Sequence, residues 1–244
     1  MLHLLRRKTG NQGAESNWPE IFRQLELRVR HPLLKDFYSA VAVDGETPLN
    51  KVPLVAMDFE TTGLNPSKDA IVSIGLVPMT IHRIFFSRSL YWVVNPGKPL
   101  RHGSVVIHKI THADVKHSPG PEEIIPQLLK AMAGSVMVVH YRQIERQFLN
   151  AAMQEHFQEG IVFPVIDTMD IEDRWQRRGF SDWWARVLGL RRRSIRLAAS
   201  RTRYNLPVYP PHHALTDALA TAELFQAQAA WHYTPDTPLN ELWR

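Results

Sequence analysis

The 244-residue chain contains no cysteine. That absence removes disulfides, thiolate-ligated zinc and cysteine nucleophiles together, and it accords with a reducing compartment, the cytoplasm being the expectation. Long apolar runs are lacking too. Nothing approaches the roughly 18 residues needed to span a bilayer, and Leu2, Leu4 and Leu5 are followed by Arg6, Arg7 and Lys8, the reverse of a secretory signal. No membrane association is expected. Internal repeats and low-complexity blocks are missing as well. Acidic residues are the minority charge, 24 against 29 Lys and Arg, for a formal net charge of +5. Such a balance favours polyanionic partners such as nucleic acid without selecting among them.

The length suits one catalytic domain with an extension rather than two full domains. Residues 1–50 differ in style from the rest. Within 18–41, Ile21, Leu25 and Arg28 or Val29 recur at helical spacing, and Pro32 is placed to end or kink the helix. The polar, turn-rich stretch Asp44-Gly45-Glu46-Thr47-Pro48 marks the boundary. The expected division is therefore an N-terminal helical extension over 1–50, a catalytic domain over 51–233 and a tail over 234–244.

From Pro53 the pattern is that of an α/β domain. An apolar run from Leu54 to Met57 leads into acidic residues, and Ala70–Val77 and Ile81–Val94 read as two further strands of a meander. Then helix and strand alternate: helix 121–132, strand 135–140, helix 143–157, strand 161–166. Three strands followed by this alternation predict a mixed five-stranded sheet flanked by helices. A last helix over 214–231 turns Ala214, Ala218, Thr221, Ala222 and Phe225 toward the sheet.

Three segments carry chemistry. At the end of the first strand stands Asp58-Phe59-Glu60-Thr61-Thr62-Gly63-Leu64. Residues i and i+2 of a strand share a face, so Asp58 and Glu60 present two carboxylates side by side. Unless one is protonated they need a counter-charge, and hard divalent cations with oxygen ligands supply it. Thr61, Thr62 and Gly63 add hydroxyls and approachable backbone N–H groups suited to a phosphate or terminal sugar. Near the C-terminus, His212 enters the last helix and Asp217 lies about one turn inside it. An imidazole there suits proton abstraction from water near neutral pH; His213 is equally apt by chemistry. Between these segments, Glu145 falls in the first turn of a helix that follows a strand ending at His140.

Taken in order, the segments resemble the DnaQ-like exonucleases of the DEDDh type, a branch of the ribonuclease-H-like fold. The resemblance spans about Pro53 to Trp231. DFETTGL with Asp69-Ala70-Ile71-Val72-Ser73-Ile74-Gly75 looks like the family's first motif and second strand, and His212-x-Ala214-Leu215-x-Asp217-Ala218 looks like its third. Ile107-His108-Lys109-Ile110-Thr111 and Val165-Ile166-Asp167-Thr168 match accessory segments. The resemblance implies Asp58, Glu60, Glu145 and Asp217 as ligands of two magnesium or manganese ions, with Asp58 bridging and His212 as general base. It also implies a terminal nucleotide received by Thr61, Thr62, Gly63, Leu64 and Ile110. Leu64 and Ile110 fit an apolar wedge against the terminal base or a place in the core equally well.

One departure stands out. The family's second motif has Asn after the His and Asp at the acid position, where this chain has Tyr141 and Glu145. The extra methylene moves the carboxylate by roughly 1 Å in a constrained magnesium site. The resemblance implies a 3′-to-5′ exonuclease acting on single-stranded DNA or RNA ends. An oligoribonuclease-like hydrolase of short oligonucleotides and a non-catalytic nucleic-acid-binding or partner module with the same fold stay open, with the extension as the route to a protein partner. The arginines 191, 192, 193, 196, 201 and 203 fit phosphate contacts or a solvated face. Trp175, Trp183 and Trp184, beside Arg174, Arg177, Arg178 and Arg186, fit a stacking groove or internal packing.

Overall fold

A computed structural model describes residues 17–40, 43–97, 110–178 and 193–244. Leu54–Thr61 forms β1, the central strand, and its apolar residues run continuously because helices cover both of its faces. β1 pairs antiparallel with β2 (Ile71–Met79), and β2 antiparallel with β3 (Leu90–Val93). On its other side β1 runs parallel to β4 (Val136–Val139), which runs parallel to β5 (Val165–Asp167). The order β3-β2-β1-β4-β5 is the expected mixed five-stranded sheet.

The helices among the described residues are α1 (Trp18–Glu26), α2 (Pro32–Ser39), α3 (His112–Lys116), α4 (Pro121–Met132), α5 (Gln143–Phe157), α6 (Thr168–Arg178), α7 (Leu197–Arg203) and α8 (Ala214–His232). Adjacent residues of β2 show how they are layered. Ile74 lines one cavity with Ile124 of α4 and Phe148 of α5, whereas Gly75 meets the backbone of Ala214 at the start of α8. Neighbours on a strand point to opposite faces, so α4 and α5 cover one face and α8 the other. Ala214, Ala218, Thr221, Ala222 and Phe225 are all fully buried, as their spacing predicts.

Two strands are shorter than expected. β-branched and aromatic content predicts a strand from Ile81, yet only Leu90–Val93 pairs in a ladder. Ile84 makes a single bridge to Met79, and Phe86–Arg88 is a turn of 3-10 helix. Likewise residues 161–164 lie outside the ladder, which starts at Val165. There the Tyr38 hydroxyl from α2 accepts from Val162 N and donates to Val162 O, so a side chain takes the place of a partner strand.

Pro32 separates two helices by opening the second of them, with His31 as its cap; a proline at that position forfeits no helical hydrogen bond. Trp18, Phe22, Phe37 and Tyr38 of α1 and α2 join the main core. At the other end, Trp243 bridges Ile166 and the Arg244 backbone pairs with Val165, so the edge of β5 is covered. Among the described residues no helix is long and apolar enough to cross a membrane.

Candidate active site

The acids meet where β1, α5 and α8 converge. Asp58 pairs with Gly75 in the β1–β2 register, and a Cβ on Gly75 would lie 2.4 Å from the Ala214 backbone. Only glycine allows α8 to begin this close to the sheet, and that approach carries Asp217 to the acids of β1. Ligand atoms of Glu60, His212 and Asp217 all lie within 4.8 Å of one another. Asp58 is within electrostatic reach of Glu145, Asp217 and Glu60. Burial first, then the charges of those three acids, holds its carboxyl well above the usual carboxylate range. Burial likewise raises Glu145, with Asp167 adding to the effect. It raises Asp217 too, against the hydrogen bond from His212 N.

Glu145 is 2% exposed, and its Oε2 is buried without a hydrogen-bond partner. A buried carboxylate oxygen left in this state near Asp58 and Asp167 is costly. Divalent cations fit the donor set, because hard ions take carboxylate and imidazole ligands and supply the missing positive charge.

The two adjacent histidines are separated by their surroundings. His213 stacks on Tyr91 of β3, with ring centroids 4.7 Å apart. His212 is exposed, stands at φ 70°, and its backbone N donates to Asp217 Oδ2 at 2.8 Å. A positive φ at a non-glycine residue is a strained conformation held by its surroundings. Asp217 thus both faces the cluster and shapes the loop that aims His212 at it.

In the β1–β2 loop, Thr61 Oγ1 donates to Gly63 O, and Thr62 Oγ1 donates to Asp69 Oδ1 while accepting from Ala70 N. Asp69 also receives Asn65 N, and a Cβ on Gly63 would sit 2.5 Å from its Oδ2. The glycine is therefore required by packing on Asp69. Leu64 at the loop tip is 83% exposed, which rules out a core role. Ile110 packs partly buried against Val72 and Val115.

Sequence reasoning attached no role to Asp167, yet its buried carboxylate organises the turn that carries Glu145. Oδ1 accepts from Tyr141 N and Met169 N; Oδ2 accepts from Arg142 N and Arg142 Nη1. No side chain caps α5 at Arg142, and Tyr141 stands at φ 82°. One carboxylate on β5 thus holds the starts of both α5 and α6. The matching Asp-Thr pair was the signal available in the sequence; the hydrogen bonds that explain it are long-range.

Several basic and aromatic candidates prove to be internal. Trp175 stacks on His232 at 4.3 Å. Arg201 is 4% exposed and binds Ala220 O, Pro207 O and Glu223, and Arg203 pairs with Glu172. Arg174, half-buried, pairs with Asp170, whereas Arg177 is exposed and pairs with Asp173 on its own helix. Arg193 and Arg196 are exposed. Ile107, His108, Lys109, Trp183, Trp184, Arg186, Arg191, Arg192 and the Arg178 side chain lie outside the described residues.

A ribonuclease-H-like sheet with acids and a histidine gathered at one end of its central strand is the architecture of DnaQ-like 3′-to-5′ exonucleases. Residues 55–225 match the RNase T exonuclease family, and the chain belongs to it. A DNA polymerase III subunit epsilon-like protein of Rhodobacter capsulatus is 33% identical over 184 residues, covering 74% of this chain and 24% of that protein. The DNA polymerase III subunit epsilon of Treponema pallidum is 28% identical, with 74% and 78% covered. The chain thus spans about a quarter of the first relative and most of the second. Two solved structures share the fold. Exonuclease X in complex with 5′ overhanging duplex DNA has a TM-score of 0.57 at 23% identity, covering 77% of this chain and 98% of the other. The nuclease domain of 3′hExo, a DEDDh family member bound to rAMP, has a TM-score of 0.59 at 15% identity, covering 77% and 94%.

Proposed function

We propose that the chain is a metal-dependent 3′-to-5′ exonuclease that releases nucleoside 5′-monophosphates from single-stranded ends. The observation that carries this reading is the convergence of Glu60, His212 and Asp217 within 4.8 Å, beside Asp58 and the unpartnered buried oxygen of Glu145. Asp58, Glu60, Glu145 and Asp217 would hold two divalent cations, magnesium or manganese. When bound, the ions neutralise the acids and stabilise charge on the attacking and departing oxygens. His212, exposed and directed by its backbone bond to Asp217, takes the proton of the attacking water. Thr61, Thr62, Gly63, Leu64 and Ile110 receive the terminal nucleotide. Leu64 presents its side chain to solvent from a loop fixed by Asp69, the arrangement a wedge against a base requires.

DNA is the first substrate to try, because the relatives at 33% and 28% identity are named for DNA polymerase III. The test is a time course on 5′-labelled single-stranded DNA and RNA 20-mers with magnesium, manganese or chelator, with Asp58→Ala alongside. The expected result is a metal-dependent ladder shortening from the 3′ end, absent in the variant. Cleavage unaffected by chelator and by Asp58→Ala would overturn the assignment.

A further inference from the structure

Next to Glu145 on α5 stands a largely buried cation, Arg146, whose guanidinium pKa burial draws down to about 10. The acid whose charge acts on it, Asp167, is already paired with Arg142. Arg146 is held by carbonyls and rings instead. Nε and Nη2 both donate to Phe163 O, at 3.2 and 2.6 Å, and Nη2 also donates to Arg244 O. The guanidinium lies over the rings of Trp18 and Phe163, 5.5 and 6.0 Å from their centroids. A buried cation without a counter-charge is costly, and an apolar side chain of similar length would avoid the cost. What arginine adds is direction, because a planar fork that reaches two carbonyls has one orientation.

The contacts come from three parts of the chain. Trp18 opens α1 in the N-terminal extension, Phe163 leads into β5, and Arg244 belongs to the segment that pairs with Val165. All three close on the first turn of α5, where Arg146 N donates to Arg142 O and no side chain caps the helix. Asp167 holds the backbone at the start of this turn. A second tie, one turn along and on another side, fixes the roll of the helix about its axis. Successive helical residues stand about 100° apart around that axis, so a fixed direction for Arg146 fixes the direction of Glu145. A roll of about 10° at the roughly 5–6 Å radius of a side-chain end moves it by about 1 Å, and a shift of that size can cost about 100-fold in rate.

We propose that Arg146 is a positioning residue for Glu145, and that α1 and the 239–244 segment act on the acid cluster through it. The extension thereby takes part in catalysis without touching substrate. This rests on the exonuclease reading above, in which Glu145 holds a cation.

The test compares Arg146→Met, Arg146→Lys and Trp18→Leu with Phe37→Leu, a control in α2 whose ring touches Phe22 and Tyr38. Cleavage kinetics on a single-stranded DNA 20-mer are paired with calorimetric titration of manganese into the metal-free protein. Arg146→Met should lower kcat by up to about 100-fold while KM for the strand changes less than about twofold, because the side chain meets no substrate. Its manganese affinity should fall about tenfold or more, the scale of losing a residue that orients a metal ligand. Arg146→Lys keeps one donor and should lose less, and Trp18→Leu should move kcat and manganese affinity in the same direction. Phe37→Leu should lower the melting temperature and leave both unchanged. In a Glu145→Ala background, Arg146→Met should have no further effect on manganese binding. Parent-like kcat and manganese affinity in Arg146→Met, or losses as large in Phe37→Leu, would overturn the proposal. Should Arg146→Met fail to fold, Arg146→Lys and Trp18→Leu decide by the same criteria. A parent that binds manganese but cleaves neither DNA nor RNA would overturn the exonuclease reading, and the manganese isotherms of the variants alone then decide the positioning role.

Discussion

Glu60 and Glu145 are both buried and both belong to the acid cluster, but their backbones are held in different ways. Glu60 sits in β1, where the ladder with β2 fixes it and strand alternation alone places it on the face of Asp58. Glu145 sits in the first turn of α5, after a residue at φ 82° and without a side-chain cap, and is held in place by Asp167 from a different strand. One half of the site is built by local geometry and the other by long-range hydrogen bonds. The first tolerates few changes in its acids. The second should be sensitive to residues that never touch a substrate.

The sharpest way to break that comparison is at β1. Asp58→Ala should lower the rate of cleavage by about a thousandfold or more, the scale of losing a preorganised electrostatic group, while thermal melting is unchanged or improved. Its carboxylate is raised by burial and by three neighbouring acids, so removing it relieves repulsion in the metal-free protein. Activity above a tenth of the parent's would show that the local half of the site is dispensable.

The next largest effect tests the long-range half. Asp167→Asn keeps the size of the side chain but loses the charge that faces Arg142 Nη1 and one of its two acceptor oxygens. We expect kcat to fall by up to about 100-fold, because a shift of the order of 1 Å in Glu145 misplaces a reacting geometry. Unfolding stability should fall by about 1–3 kcal/mol for the backbone donors left unpaired. In a Glu145→Ala background the same substitution should leave kcat unchanged. A second full-sized drop in that background would mean that Asp167 acts by some route other than Glu145.

The same division explains what could be read from the residues in order. The bounds of α4 and α5 follow from apolar periodicity and flanking turn residues, and the structure reproduces them at 121–132 and 143–157. The segment from Ile81 misleads because β-branched content reports a preference for extended backbone, not the presence of a partner strand; only Leu90–Val93 has one. Spacing favours His212 over His213 only through resemblance, whereas the structure separates them physically by the stacking of His213 on Tyr91. Gly75 and Asp167 both stand in matched segments, but what each does, beneath Ala214 and beneath Tyr141, has no local signature, since it is defined by a contact with a distant segment.

A pH series on metal-free protein probes both halves at once. The folded-state pKa values of Asp58, Glu145 and Asp217 are all raised, so the native state binds more protons than the unfolded chain above the ordinary carboxylate range. Stability should therefore be highest below that range and fall as pH rises through the raised values. Added magnesium or manganese should flatten the decline by binding the ionised cluster. Melting temperatures with and without the metal decide the matter, and a metal-free protein that gains stability with rising pH over this window would contradict the electrostatics of the cluster.

The smallest effect bears on the turn itself. Tyr141 occupies the left-handed region, where an aromatic side chain is strained and asparagine is accommodated with less cost. Its amide must still donate to Asp167, which asparagine preserves, and the ring is partly exposed with only a hydroxyl contact to Gln143. Tyr141→Asn should therefore raise unfolding stability by about 0.5–1 kcal/mol in a denaturant titration, with kcat changed less than about threefold because Glu145 stays where it is. A loss of stability would mean that the ring packs to better effect than its exposure indicates. A large rise in KM at unchanged stability would instead place the ring against the substrate, and the strain at this turn would then be the cost of a binding contact.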